Sequence, residues 1–136
     1  MLAVKFSEFK KRIQNKSGVI KQVLLDQKFI SGIGNIIADE SLWYSKIHPK
    51  RTAYNLNGRE IYKLFHGLKC VIRRILKSGG STMRDWSHPD GEAGGYKRIR
   101  WVYGRAGEKC PRCKYLIKRI VVAGRGTSIC EKCQKI

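Results

Sequence analysis

Acidic residues are scarce in this sequence. Ten Asp and Glu face 29 Lys and Arg in 136 residues, a net charge of +19. That excess is far beyond what solubility needs and points to a polyanionic partner. Long apolar runs are absent too. None approaches the roughly eighteen residues that a bilayer-spanning helix requires, and the N-terminus lacks a signal-peptide pattern, so the expected location is cytoplasmic and nucleoid-associated. Internal repeats and low-complexity segments are missing, and the basic residues are interleaved with apolar ones, unlike a disordered basic tail. A nucleophile beside a base is also not visible. Asp39 and Glu40 read as acids in the first turns of a helix, where they complement its dipole. His48 reads as a helix-end residue, His66 as a surface position, and His88 has no evident partner.

Against these absences stands a concentration of cysteine near one end. Cys110 with Cys113 and Cys130 with Cys133 form two Cys-x-x-Cys pairs separated by sixteen residues. Four thiolates at this spacing suit one tetrahedral, structural zinc ion. Disulfides and a redox pair are the alternatives. A redox pair uses a single Cys-x-x-Cys beside a βαβ pattern, and none is present. Between the pairs, Tyr115 to Val122 is β-prone and Ala123-Gly124-Arg125-Gly126-Thr127 reads as the turn of a hairpin, with Arg125 at its tip. The fifth cysteine, Cys70, falls in a helical stretch and reads as a small buried side chain.

The remaining residues read mostly as helix. Phe6, Phe9 and Ile13 recur at helical spacing, and Ile20, Val23, Leu24 and Gln27 share one side of a second helix over 19–30. A third stretch holds Ile36, Ile37, Leu42, Trp43 and Ile47 and is ended by His48-Pro49. The fourth carries a long stripe from Ile61 to Leu76, with Asn57 as N-cap, Glu60 three residues on, and Gly79-Gly80 as its stop. Residues 79–96 are glycine-rich and read as a long loop. Lys97 to Tyr103 alternates basic with apolar, which predicts a strand leading into the hairpin. The fold class is therefore mainly α with a small β module. Residues 1–78 are expected to form a four-helix unit, 79–96 a glycine-rich linker, and 97–136 a four-cysteine zinc-ribbon-type β-hairpin.

Two places outside the cysteines point to a phosphate partner. Gly32-Ile33-Gly34-Asn35 lies between two helices, where glycines let backbone amides approach a phosphate and the following helix N-terminus adds positive charge. Asn35 would cap that helix or offer its amide to the same phosphate. A tight turn without a ligand is the bland alternative. Arg125, flanked by Gly124 and Gly126, is placed where no core needs it and suits a bidentate phosphate contact. Lys97, Arg98, Arg100, Lys118 and Arg119 read as general electrostatic footprint.

The strings KQVLLDQKFISGIGNIIADESLW, SGGSTMRDW, VYGRAGEKCPRC and IVVAGRGTSICEKCQ resemble the C-terminal half of the bacterial formamidopyrimidine-DNA glycosylase and endonuclease VIII family. The resemblance covers nearly the whole chain from about Phe6 onward. It implies a helix-two-turn-helix domain over 6–78 and a zinc finger over 97–136, in enzymes that excise oxidised bases from duplex DNA and cleave at the abasic site. It places Gly32, Gly34 and Asn35 on backbone phosphate, Arg125 with Gly124 and Gly126 on phosphates flanking the lesion, and Cys110, Cys113, Cys130 and Cys133 on Zn2+. Ser81, Thr82 and Arg84, with Tyr96 beyond them, match the loop that closes over an everted damaged base.

One departure bears on chemistry. The family's nucleophile is an N-terminal proline amine on a separate β-sandwich, whereas here Met1 is followed by Leu2-Ala3-Val4. The expectation is the DNA-binding part of a base-excision-repair glycosylase and AP lyase, itself inactive or nearly so. Its partners are duplex DNA with oxidised bases or abasic sites, and a catalytic domain held elsewhere. Two other readings stand beside it: full activity together with a separate catalytic chain, and an RNA- or ribosome-associated zinc protein.

Overall fold

The computed structural model describes residues 3–78 and 96–136. The loop residues Ser81, Thr82 and Arg84 and the expected Gly79-Gly80 helix stop lie outside the described residues. The order of elements is α1 (Phe6–Gln14), α2 (Ile20–Leu25), α3 (Asn35–Tyr44), a 3-10 turn (Ala53–Asn55), α4 (Gly58–Lys77), α5 (Tyr96–Ile99), β1 (Lys118–Val122) and β2 (Arg125–Ile129). The architecture is four principal helices followed by a two-stranded antiparallel hairpin.

The helices form because their apolar spacing closes one core. Phe9 and Ile13 of α1, Ile20 and Leu24 of α2, Leu42 of α3 and Ile61, Leu64 and Leu68 of α4 are all buried together. Helix α2 has only six residues, too few to persist by itself, so packing holds it. It stops where Asp26 turns extended, and the Asp26 carboxylate accepts the Lys28 amide at 2.9 Å. Gln27, expected on the helix face, instead lies beyond the helix end. Helix α4 begins with a full capping box: Glu60 N donates to Asn57 Oδ1, and Asn57 N donates to Glu60 Oε1.

Helix α3 is shorter than the expected run to Ile47. Lys46 enters the left-handed region (φ 60), its amide reaches the Trp43 carbonyl at 3.1 Å, and the Ile47 amide reaches Leu42 at 2.9 Å. That is a Schellman stop with lysine where glycine usually sits, so the sequence carried no glycine to announce it.

The predicted strand at 97–103 does not form; Tyr96 to Ile99 is a short helix followed by turns. The amides of Trp101, Val102 and Tyr103 are drawn onto the single carboxylate of Glu40 instead of a neighbouring strand. Tertiary capture of three successive N–H groups overrides the alternating pattern. Cys70 is half-buried rather than enclosed.

A second small core joins the two parts. Trp43 of α3 packs with Val102, Cys110, Ile117 and Cys130, so the cysteine unit is seated on the C-terminal half of α3.

Candidate nucleic-acid interface and metal centre

The four sulfurs converge because each Cys-x-x-Cys is a turn. All four Sγ atoms lie within 4.8 Å of one another, with Cys113 to Cys130 at 3.4 Å and Cys110 to Cys133 at 3.9 Å. Zinc–sulfur bonds of about 2.3 Å in a tetrahedron place sulfurs about 3.8 Å apart. The donor set fits one Zn2+ with every position filled by protein, a structural site. Burial opposes the Cys110 thiolate, yet the amides of Cys113 and Arg112 and the Trp43 indole N–H outweigh it and bring the thiol down to about 6. The Trp43 Nε1 lies 3.3 Å from that sulfur.

Arg112, between the first two ligands, ties the knuckle to α3. Its guanidinium lies 3.9 Å over the Trp43 ring, donates to the Trp43 carbonyl at 2.6 Å, and reaches Cys133 Sγ at 3.3 Å. Gln134 completes the attachment by accepting from Cys130 N at 2.9 Å and donating to Ile47 O at 3.1 Å.

At the other end of α3 lies the glycine turn. Gly32 has φ 92, a conformation that favours glycine, and Gly34 caps α3 with no side-chain cap bond. A side chain at either would meet nothing within 4 Å, so the backbone faces open space. Ile33 between them is fully buried and anchors the turn. Gln27 braces it from the side, accepting from Gly32 N at 2.9 Å and donating to Ile33 O at 3.1 Å. Open space therefore lies beside the N-terminus of α3, the end of a helix where unpaired backbone amides attract an anion.

Asn35 does not cap α3. Its Nδ2 donates to the Gly126 carbonyl at 3.1 Å, bridging the glycine turn to the hairpin. Lys21 Nζ donates to the same carbonyl at 3.0 Å and to Thr127 Oγ1 at 2.5 Å. Asp39 holds Lys21 at 2.8 Å and accepts the Ser128 amide at 3.0 Å. Gly32, Gly34, Asn35, Gly124, Arg125 and Gly126 are consequently gathered along one side, where α2, the start of α3 and the hairpin meet.

The hairpin tip is narrower than expected. Ala123 (φ 52) and Gly124 (φ 75) make a two-residue turn, and Arg125 opens β2 opposite Val122. Two successive left-handed residues are the turn that matches strand twist. Arg125 stands beside the tip, exposed, and its guanidinium makes no hydrogen bond or ion pair among the described residues. The Arg119 guanidinium lies over Gly126, in the space that a side chain there would take. A groove of about 540 Å³ runs between the hairpin and α2, lined by Gln22, Leu25, Asp26, Ala123 and Arg125 among others.

Electrostatics agree with the geometry. Burial lowers the Lys21 pKa; Asp39 works against that, while Arg125 and Arg119 add to it. Three cations therefore act on one another around Gly126, with Asp39 as the buried counter-charge.

Asp39 and Glu40 correct the dipole reading. They lie past the first turn of α3, buried, and each serves the cysteine unit. Glu40 accepts from Tyr96 Oη at 2.5 Å and from three backbone amides at 2.7 to 3.0 Å. Tyr96, expected at the end of the loop, is the buried first residue of α5, and its hydroxyl is raised out of its ordinary range by burial and then by Glu40. Two acids inside an otherwise apolar helix of a strongly basic chain were the available signal. Lys21, by contrast, looked like one more surface cation.

Comparison with known proteins follows the same division. Residues 2–87 match the formamidopyrimidine-DNA glycosylase H2TH domain, and residues 107–136 match a zinc finger found in FPG and IleRS. The chain is 43% identical over 125 residues to the formamidopyrimidine-DNA glycosylase of Zymomonas mobilis, covering 92% of this chain and 46% of that protein. The corresponding protein of Herpetosiphon aurantiacus is 45% identical over 127 residues, covering 93% and 46%. Among solved structures, the Lactococcus lactis Fpg in complex with abasic-site DNA superposes with a TM-score of 0.89 at 37% identity, covering 97% of this chain and 48% of that one. The Fpg protein of Thermus thermophilus gives 0.87 at 40% identity, with 96% and 50% covered. The chain spans about half the length of the curated relatives it matches.

Proposed function

The chain belongs to the formamidopyrimidine-DNA glycosylase family, as its helix-two-turn-helix domain and zinc finger show, and from that premise we propose that it is the part that grips damaged duplex DNA by its phosphates. The observation that carries this reading is the bond from Asn35 to the Gly126 carbonyl. It joins the open glycine turn from Gly32 to Gly34 to the strand that carries the exposed guanidinium of Arg125, so a single phosphate backbone can meet both. The zinc ion's work is to hold the hairpin, and with four thiolates it has no open position for catalysis.

In this proposal residues 1–78 form the DNA-binding domain, 97–136 the zinc finger, and the intervening segment with Ser81, Thr82 and Arg84 attends the lesion. Excision itself needs an amine to attack the sugar of an everted nucleotide. The contribution proposed for this chain is grip and placement. The Lactococcus lactis relative was solved with abasic-site DNA and, in another structure, with Fapy-dG DNA, which supports damaged duplex as the partner over structured RNA.

The test is binding to a duplex carrying an abasic-site analogue, an undamaged duplex and a structured RNA at matched salt. If about five phosphates are neutralised, log K falls against log salt with a slope of roughly −4 to −5. Preference for the abasic duplex is expected. A flat salt response, or tighter binding to RNA, overturns the reading.

A further inference from the structure

The outer face of α4 is untouched by the surface just described. Lys63, His66, Cys70, Arg73 and Lys77 follow one another in steps of three and four, so they line one stripe. That stripe lies opposite the side on which Ile61, Leu64 and Leu68 are buried. From Lys63 to Lys77 it extends about 21 Å at helical rise.

Beside the stripe stands Tyr44, the last residue of α3, 39% exposed and stacked on Trp101 at 5.7 Å. It forms a shared wall of two clefts. One, of about 500 Å³, is also lined by Lys46 and Lys63; the other, of about 310 Å³, by Arg73 and Lys77. No acidic residue lines either cleft. The one acid of α4, Glu60, pairs with Arg51 at 2.8 Å, and of the stripe cations only Lys63 also acts on its carboxylate. The side chains of Lys46, Lys63, Arg73 and Lys77 are exposed and make no hydrogen bond or ion pair among the described residues. Cations held together with so little counter-charge repel one another, and the cost is recovered when a polyanion arrives.

We propose that this face is a second nucleic-acid site, and that it takes a single strand. Lys63, Arg73 and Lys77 would receive successive phosphates, and Tyr44 would receive an unpaired base. A row of cations beside an exposed aromatic ring is the arrangement that binds single strands, because a free base has a face to stack. In a duplex that face is covered by its neighbours. The site is separate from the duplex grip: Asn35 and Tyr44 are at opposite ends of α3, about 13 Å apart along its axis.

The experiment uses the zinc-loaded chain, a short fluorescein-labelled oligothymidine and a duplex of equal length, with anisotropy as the readout. The triple variant Lys63→Gln, Arg73→Gln, Lys77→Gln should bind the single strand at least about tenfold more weakly. Its salt slope should shrink by about 2, for three phosphates at about 0.7 each. Duplex binding should change by less than about threefold, and saturating unlabelled duplex should leave the single strand bound. The variant Arg125→Ala should show the reverse pattern, which distinguishes this site from the duplex grip. Equal loss on both probes, displacement of the single strand by duplex, or single-strand binding that the triple variant leaves intact each overturns the proposal. Wild-type affinity for the single strand no better than the variant's also overturns it and would point to a protein partner for the face. All substituted positions are solvent-facing, and zinc content with circular dichroism confirms the fold.

Discussion

Lys21 and Asp39 meet at 2.8 Å with neither side chain accessible to solvent, directly beneath the hairpin strand that begins with Arg125. Removing one member of such a pair leaves an uncompensated charge in the interior, which typically costs about 3 to 5 kcal/mol. Lys21→Met should therefore destabilise the zinc-loaded chain by that order, and it should also release the Gly126 carbonyl from one of its two donors. Replacing both, as Lys21→Met with Asp39→Leu, should cost clearly less than Lys21→Met alone, since no charge remains buried. Urea unfolding of the two variants decides this. Equal losses would mean that the pair is solvated and does not lock the hairpin.

The same pair sets a pH dependence. Burial raises the Asp39 carboxyl from an ordinary 3.8 to about 6, against the pull of Lys21 and the Ser128 amide. With the folded value above the unfolded one, the folded state takes up its proton first as pH falls. The contribution of this group is thus full below about 3.8 and is lost as pH rises through about 6. His48 acts oppositely, because burial lowers its pKa. The difference between the parent and Asp39→Asn isolates the carboxylate. Between about pH 7 and 5, zinc-saturated parent protein should gain stability relative to Asp39→Asn as the solution is acidified. A difference that stays constant, or runs the other way, contradicts the assignment.

Glu40 is the reason that the segment from Trp101 to Tyr103 turns rather than extends. Glu40→Gln keeps the shape but removes the charge that three amides and the Tyr96 hydroxyl share, and presents an NH2 group to donors. Hydrogen bonds to a charged acceptor are worth about 1.5 to 3 kcal/mol each, not additively. A loss of several kcal/mol is expected, together with a change in the near-ultraviolet signal of Trp101, which packs on Trp43 at 5.1 Å. A Glu40→Gln protein with parent stability would show that those amides find other acceptors.

Much of this was legible in the residue order, for identifiable reasons. The cysteine pairs, the amphipathic stripe of α4 and the Asn57–Glu60 capping box are local signals, with cause and effect a few residues apart. What the order concealed was long-range. The Lys46 stop of α3 needs a left-handed residue at a position where glycine would have announced it and lysine does not. The strand expected at 97–103 is undone by Glu40, some sixty residues away. Arg125 was displaced by only one step, because Ala123 accepts the left-handed turn position that Gly124-Arg125-Gly126 seemed to claim. Lys21 looks like any other of the 29 basic residues, and only its contacts with Asp39, Gly126 and Thr127 distinguish it.

Zinc removal should divide the molecule along its cores. The helical core around Phe9, Leu24, Leu42 and Leu64 contains no cysteine ligand, whereas the second core includes Cys110 and Cys130 themselves. Chelation, or Cys130→Ser, should therefore leave most of the helical circular dichroism in place. It should also change the fluorescence of Trp43, whose indole faces Cys110, and abolish salt-sensitive duplex binding through loss of the hairpin. Metal binding at such sites carries folding free energy directly. Collapse of the helical signal in step with the zinc would show instead that the two cores fold as one unit.

Arg125 gives the most direct test of the proposed duplex grip. Its guanidinium makes no hydrogen bond or ion pair among the described residues, and its strand is held from below by Lys21 and Asn35, so truncation should remove the proposed phosphate contact without breaking a bond within the protein, while easing the repulsion on Lys21. Arg125→Ala should weaken duplex binding by about 1 to 3 kcal/mol and reduce the salt slope by about 1, with zinc content unchanged and the unfolding midpoint not lowered. Asn35→Ala should act differently. It removes the bond to the Gly126 carbonyl, so it should lower affinity by loosening the hairpin, and its effect should not add fully to that of Arg125→Ala. A double-mutant cycle of duplex affinities measures this coupling. Strict additivity would mean that Asn35 contacts the phosphate independently and does not position Arg125.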